Sequence, residues 1–363
     1  MRVLFDLGHP AHFHLFKNLA KKLSECGHEI YFAIQKKDVL EDLVKETSYN
    51  YINILPNGRK SSKFGLVKSL IQRFFNILFY TKKIKPNLLI GTSVEISYIG
   101  KLLNIPSFNL NEDDANVVFL YSMLAYPFAT EILTPISCNN GKWDKKSIKY
   151  NSYHELAYLY PKYFVPNINV LKKYNITRPF FIIRFSKLDA HHDYGIKGIS
   201  ELFAFKIINK LKVFGNVYLS SERELGMNLD QYRLAINPID IHHILFFSNI
   251  LISDSQTMTA EAAVLGTPSI RFNDFVGKLG YLEELENKYQ LTYGIKTSEP
   301  EKLLIKVDEF LSYPNIKEEW AKRREKMLNE KIDVTAFMVW FIENYPNSNV
   351  IMKKNPDYQY NFK

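Results

Sequence analysis

Short apolar runs alternate with amphipathic stretches from the first residues onward. Val3, Leu4 and Phe5 form a continuous apolar run, as a strand buried on both faces requires. A loop with Gly8 and Pro10 follows, and Phe16, Leu19, Ala20 and Leu23 then recur at helical spacing. Gly27 suits the end of that helix, and Ile30 to Ile34 reads as a second strand. This β–loop–α–β unit implies a parallel strand pair with a right-handed crossover. Further strands are predicted at 51–54, 87–90, 107–110 and 131–134. Pro135 and the polar stretch 137–152 mark the end of this half, and the Tyr- and Pro-rich stretch 153–170 reads as irregular.

The pattern then restarts. Strands are predicted at Phe180 to Ile183, Val217 to Leu219, Ile250 to Ile252 and Ser269 to Phe272, with helices over 197–213, 240–247 and 254–265. A charged helix covers 315–330, the apolar segment 333–343 needs a packing partner, and 352–363 reads as a frayed polar tail. The expected architecture is α/β, with two Rossmann-like domains of parallel strands facing an interdomain cleft. The expected boundaries are 1–165, 166–335 and a C-terminal helix with a polar tail at 336–363, the helix returning to the first domain. Ligands of open α/β sheets bind at the carboxyl ends of their strands.

A length of 363 residues suits about two domains. The 47 basic residues outnumber the 38 acidic ones, which favours anionic partners without choosing among them. No apolar run reaches the length of a membrane span, and the N-terminus lacks the apolar segment of a secretory leader, so a cytoplasmic location is expected. Two cysteines, Cys26 and Cys138, exclude a disulfide framework and a Cys-rich zinc site.

Candidate chemistry sits at strand-to-helix turns. Ser253-Asp254-Ser255-Gln256-Thr257-Met258-Thr259 follows a strand and opens a helix that Gly266 and Pro268 end. Helix N-termini present unpaired N–H groups and partial positive charge, which suit phosphate, and Ser255, Gln256 and Thr257 lie there. Glu261, two turns on, could accept from a ribose diol. The plainer alternative makes Asp254 an N-cap and Glu261 a solvated helix residue. Three histidines, His9, His12 and His14, crowd the first turn after Gly8. A neutral imidazole there can take a proton from an attacking hydroxyl, or the rings simply cap the helix and pack under the loop. Arg184 ends a strand where it could pair with a phosphate, and Ser220 and Ser221 end the next, open to a uracil or ribose contact or to a plain turn. Asn111-Glu112-Asp113-Asp114 follows a first-half strand, and Glu112 could orient an acceptor hydroxyl.

Ser253-Asp254-Ser255, Glu261-Ala262 and Leu265-Gly266-Thr267-Pro268 together resemble the nucleotide-binding segment of the non-hydrolysing UDP-N-acetylglucosamine 2-epimerases. The Glu and the Gly-x-Pro also resemble the lipid II-forming N-acetylglucosaminyltransferase. Asp6-Leu7-Gly8-His9-Pro10-Ala11-His12 and Arg184-Phe185 with Ala190-His191-His192-Asp193 are similar to a prokaryotic family of unknown function, over about residues 1–345. The resemblance implies a GT-B fold, a nucleoside-diphosphate sugar as substrate rather than a bound cofactor, the diphosphate on helix 254–265 and the ribose on Glu261. It matches Gly8 and His12 to the glycosyltransferases' Gly-rich loop and its His, and His192 to a His near the phosphates in the epimerases. The epimerase carboxylates are replaced here by Gly91-Thr92-Ser93 and Asn111, which disfavours epimerisation, a reaction that needs paired acid and base groups.

The reading is therefore a glycosyltransferase that needs no metal, with catalytic candidates His12, His14 and Glu112 and a UDP-hexosamine-type donor. Its acceptor would be a cell-envelope glycan or a lipid carrier. The alternatives are an epimerase or hydrolase of the same fold, or a non-catalytic binder of nucleotide sugars or polyanions. No nucleic-acid reader motif is present. The basic, aromatic stretch 60–85 suits peripheral contact with an anionic membrane, or else a core-packed helix with a solvated basic side.

Overall fold

The computed structural model describes residues 1–58, 63–187 and 198–363, with no side-chain description at 63, 64 and 66. The chain divides into two compact units, Met1–Tyr163 with Ile332–Lys363, and Phe164–Lys331.

The first unit is built on seven strands: β1 (Arg2–Leu7), β2 (Glu29–Gln35), β3 (Asn50–Leu55), β4 (Leu88–Gly91), β5 (Ser107–Leu110), β6 (Glu131–Pro135) and β7 (Ser147–Tyr150). They form one sheet in the order β3-β2-β1-β4-β5-β6-β7, and every pair is parallel. The central strands are apolar and buried because helices cover both faces of an all-parallel sheet. The strand order reverses direction between β1 and β4, the place where open α/β sheets hold ligands. The helix Pro10–Glu25 follows β1 and buries Phe16, Leu19, Ala20 and Leu23, the periodic positions of the sequence, together with Phe13 and Leu15.

The second unit carries β8 (Phe180–Phe185), β9 (Asn216–Ser221), β10 (Leu251–Ser253), β11 (Ser269–Phe272) and β12 (Thr292–Ile295). Their order is β12-β11-β10-β8-β9, again all parallel, with the reversal between β8 and β10.

The structure corrects several expectations. The stretch 137–152 does not simply end the first half, because β7 within it pairs with β6. The periodicity overlooked β12 and the helix Pro300–Ser312. The predicted helix over 197–213 spans Glu201–Leu211, with Ser200 as its N-cap. Residues 352–363 are not frayed. Helix Asn347–Lys354 and the 3₁₀ segment Pro356–Phe362 cover them. Gln359 is buried and accepts from Asn151 N–H, while Trp340 stacks on Tyr358 at 4.7 Å. Aromatic packing and one buried amide hold a segment whose composition reads as polar tail.

Asp333 opens the returning segment. It caps helix Val334–Glu343 by accepting from Ala336 N–H, and it accepts from the Tyr163 hydroxyl and Lys162. Phe341 and Tyr345 then pack on Phe108 of β5.

Candidate functional site

In the first unit, chemistry collects where β1 and β4 end. His9 is the N-cap of helix Pro10–Glu25, and its Nδ1 accepts from Ala11 N–H at 3.1 Å. His12 turns back onto the end of β1. Its Nδ1 accepts from Gly8 N–H at 3.1 Å, and the Thr92 hydroxyl lies 2.8 Å from Nδ1 and 3.0 Å from Nε2. The bond from Gly8 makes Nδ1 an acceptor and leaves Nε2 as the protonated nitrogen of the neutral ring. Burial pushes the His12 imidazole well below its ordinary value, aided by the neighbouring His9 and His154 rings and the Arg73 guanidinium. His14, two residues on, lies against the Tyr158 ring at 5.3 Å, with Lys17 Nζ 3.5 Å from its Nδ1.

Beneath this turn lies a buried ion triad. Both oxygens of Asp6, at 2.6 and 2.7 Å, accept from Arg73, and the other guanidinium nitrogen meets Glu95 at 2.5 Å. Gly91 pairs with Asp6 across the strands, and a Cβ there would stand 2.8 Å from the Asp6 carbonyl oxygen. The close approach of β1 and β4 thus needs a glycine.

Glu112 follows β5. Its Oε2 accepts from His154 N–H at 3.3 Å and sits 3.5 Å from His154 Nδ1. Burial nonetheless pushes His154 down to about 3, so the ring is neutral. His154 lies in the stretch read as irregular from sequence; in the structure Asn151 to Leu159 is buried throughout. Asn111, at the epimerase carboxylate position of the resemblance, donates to the Tyr126 hydroxyl at 3.0 Å.

In the second unit the corresponding edge joins β8, β9 and β10. Arg184 sits in register with Ser220 on one side and Ser253 on the other. It donates to the Ser220 hydroxyl at 2.8 Å and to the Glu222 carboxylate. Ser221 is engaged locally, its hydroxyl accepting from Arg223 N–H and donating to Arg223 C=O. Asp254 is not the N-cap of the next helix. It is a buried hub that accepts from Ser186 N–H at 2.6 Å, the Ser186 hydroxyl at 3.0 Å, Ile199 N–H at 3.2 Å and the Arg223 guanidinium. Burial pushes its carboxyl up against these donors. Arg223 also lies over the Phe185 ring at 5.0 Å.

Ser255 is the cap, accepting from Met258 N–H at 3.3 Å, and helix Gln256–Leu265 begins directly after it. Gln256 and Thr257 occupy its first two positions, half-buried. The N–H groups of these positions have no acceptor within a helix. Glu261 is not a solvated helix residue. It is buried, and its Oε1 stands 2.9 Å from His242 Nε2. His242 comes from helix Ile241–Phe247, and no spacing in the sequence signals the pair, since the partners sit on different helices. His192, with His191, lies outside the described residues.

The structure thus gathers Gly8, His12 and Thr92 at one sheet edge and Arg184, Ser220 and the Ser255 helix start at another. Among the described residues, no three His, Cys, Asp or Glu side chains are grouped as a metal set.

A family model described as a protein of unknown function (DUF354) matches residues 1–281. The uncharacterized protein MJ0665 of Methanocaldococcus jannaschii is 27% identical over 289 residues, covering 74% of this chain and 80% of that one. Among solved structures, the Staphylococcus aureus MnaA–UDP complex has 12% identity and a TM-score of 0.65, covering 96% of this chain and 97% of that one. The UDP-GlcNAc 2-epimerase of Neisseria meningitidis, bound to UDP-GlcNAc, has 13% identity and a TM-score of 0.62, covering 94% and 99%. The spinosyn forosaminyltransferase SpnP has 15% identity and a TM-score of 0.62, covering 91% and 95%. At such identities the likeness establishes the fold, which is that of the GT-B glycosyltransferases and UDP-GlcNAc 2-epimerases.

Proposed function

We propose that this chain, which belongs to the DUF354 family of proteins of unknown function, is a glycosyltransferase that takes a sugar from a nucleoside-diphosphate sugar of the UDP-hexosamine type. The acceptor is a cell-envelope glycan or its lipid carrier. The observation that carries the donor reading is the edge of the second sheet. There Arg184 ends β8, and a helix capped by Ser255 opens at the end of β10, with Glu261 buried on it.

In this reading the N–H groups of Gln256 and Thr257 and the Arg184 guanidinium meet the diphosphate. Glu261, oriented by His242, accepts from the ribose hydroxyls. In the transfer step the bond from the sugar C1 to the diphosphate oxygen breaks and a bond from the acceptor oxygen to C1 forms. The developing charge on the leaving diphosphate is met by the helix N-terminus and Arg184, which act without a metal. In the first unit, His12 takes the acceptor's hydroxyl proton. For that its unprotonated Nδ1 must exchange the Gly8 N–H for the acceptor hydroxyl, and the burial that keeps the ring neutral supports this role. Glu112, beside His154, orients the acceptor. Relatives of this fold that bind UDP or UDP-GlcNAc support a nucleotide-sugar partner. Transfer is favoured over epimerisation because Gly91-Thr92-Ser93 and Asn111 stand where the resemblance places epimerase carboxylates, and the nearby Asp6 and Glu95 are tied to Arg73.

Thermal unfolding with UDP, UDP-sugars, GDP-, dTDP- and CMP-sugars and NAD tests the donor site. A nucleotide at a hundred times its dissociation constant adds about 2.7 kcal/mol of stability. The expected result is such a gain for UDP compounds alone, lost on Glu261→Ala. Absence of any nucleotide response overturns the reading. Conversion of UDP-GlcNAc to its 2-epimer without an acceptor moves the assignment to the epimerases.

A further inference from the structure

Helix Lys63–Ile84 is built inside out over its first half. The row Gly65, Ser69 and Arg73, small or polar residues, faces inward and is buried, continuing through Ile77 and Thr81. The row Val67, Ile71, Phe75 and Phe79 lies about 200° around the helix from it and faces outward. These four are 57, 53, 48 and 64% exposed. A helix of a water-soluble surface reverses this arrangement, placing its apolar stripe on the core. The expectation of a core-packed helix with a solvated basic side is therefore only half met. Lys68, Lys82 and Lys83 are solvated, but so is the apolar row between them, and Arg73 is buried.

The neighbouring helices extend the surface. Helices Lys63–Ile84, Val94–Leu103 and Phe119–Ala125 pack side by side, and right-handed crossovers put them on one face of the first sheet. Phe119 and Leu120 on the third are 64 and 61% exposed, and Leu102 on the second is 63% exposed. Apolar exposure of this extent on neighbouring helices points to an interaction site.

Charge selects the partner. Residues 60–85 contain no Asp or Glu. Helix Phe119–Ala125 has none either, and the one carboxylate of helix Val94–Leu103, Glu95, is buried on Arg73. Lys68, Lys82, Lys83 and Lys101 are exposed on the same helices. An apolar row flanked by lysines, with no exposed carboxylate, matches an anionic lipid surface, where side chains enter the acyl boundary and ammonium groups meet headgroup phosphates. No described helix is long and apolar enough to cross a membrane, so the contact is one that lies on the bilayer. We infer that this three-helix face of the first unit docks on an anionic membrane. The inward Arg73 of the docking helix is bonded to Asp6 at the floor of the His12 turn, so the docked surface and that turn share one rigid element.

Vesicle co-sedimentation of the full chain tests this, with phosphatidylcholine vesicles that contain or lack phosphatidylglycerol. The expected result is binding to the phosphatidylglycerol vesicles, weakened by salt, and little to phosphatidylcholine alone. Lys82→Glu with Lys83→Glu should lower the partition coefficient by at least about thirtyfold, and Phe75→Ser with Phe79→Ser by at least about tenfold. Because all four side chains are exposed, the fold should survive, which circular dichroism and an unchanged UDP thermal shift would establish. The inference does not rest on the donor assignment, and a failed UDP response leaves it standing. Vesicle binding that neither pair of substitutions alters overturns it. So does a wild-type dimer in light scattering that Phe75→Ser with Phe79→Ser turns into monomer, for then a second copy covers the face.

Discussion

Three histidines within six residues take three different environments. His9 caps a helix, His14 lies on Tyr158, and His12 is turned onto the end of β1 beside Thr92. The cluster was legible in the sequence; its division was not, because it depends on the β4 end brought alongside β1. His242 and His154, the partners of Glu261 and Glu112, were not legible at all, since each arrives from an element remote in sequence. A residue-scale test follows from His12. Its folded-state value is depressed, so the protonated, inactive form appears only at lower pH than for a free imidazole. In the proposed role, the acid limb of the kcat profile therefore falls below pH ~6.5. His12→Gln should lower kcat by about 10²- to 10⁴-fold and abolish that limb. A wild-type limb well above that pH, or full activity in the variant, would remove His12 from the chemistry.

Among the elements, helix Lys63–Ile84 departs furthest from its pattern. Its residues are apolar around most of the circumference, so the periodicity alone does not say which side faces the sheet. The buried Asp6 and Glu95 decide it by taking Arg73. Removing one partner of a buried ion network leaves charge without compensation, which costs about 3–5 kcal/mol. Arg73→Met is accordingly expected to destabilise the first unit by that amount in urea unfolding, and Arg73→Met with Asp6→Asn to recover part of it. A loss under about 1 kcal/mol would mean that the triad is not closed in solution. At this scale the long, periodic elements read well from sequence. β7, β12 and helix Asn347–Lys354 did not, because the two strands alternate or interrupt their buried positions with polar or glycine residues and the helix is largely polar.

At the scale of the whole molecule, the chain leaves the first unit after Tyr163 and re-enters it at Ile332. The second unit is continuous and holds its own buried core, so the fragment 164–331 should fold alone with a cooperative thermal transition. In the proposed function it should also retain the UDP response. Residues 1–163 without 332–363 lack Phe341 and Tyr345 against Phe108 and the Gln359 bond to Asn151, and should fail to give a cooperative transition. Circular dichroism of the two fragments checks both outcomes. Two parallel α/β halves, their main strands and the positions of the turns that bear Gly8, Arg184 and Ser255 were determined by the sequence alone. Each depends on local periodicity, and local periodicity is written in neighbouring residues. The tertiary structure decided which side chains meet. Asp254 became a hub rather than a cap, Glu261 found His242, Arg73 turned inward and the polar tail was packed. Those outcomes depend on burial and charge pairing between segments far apart in the chain, where desolvation makes an unpaired group costly and so selects its partner.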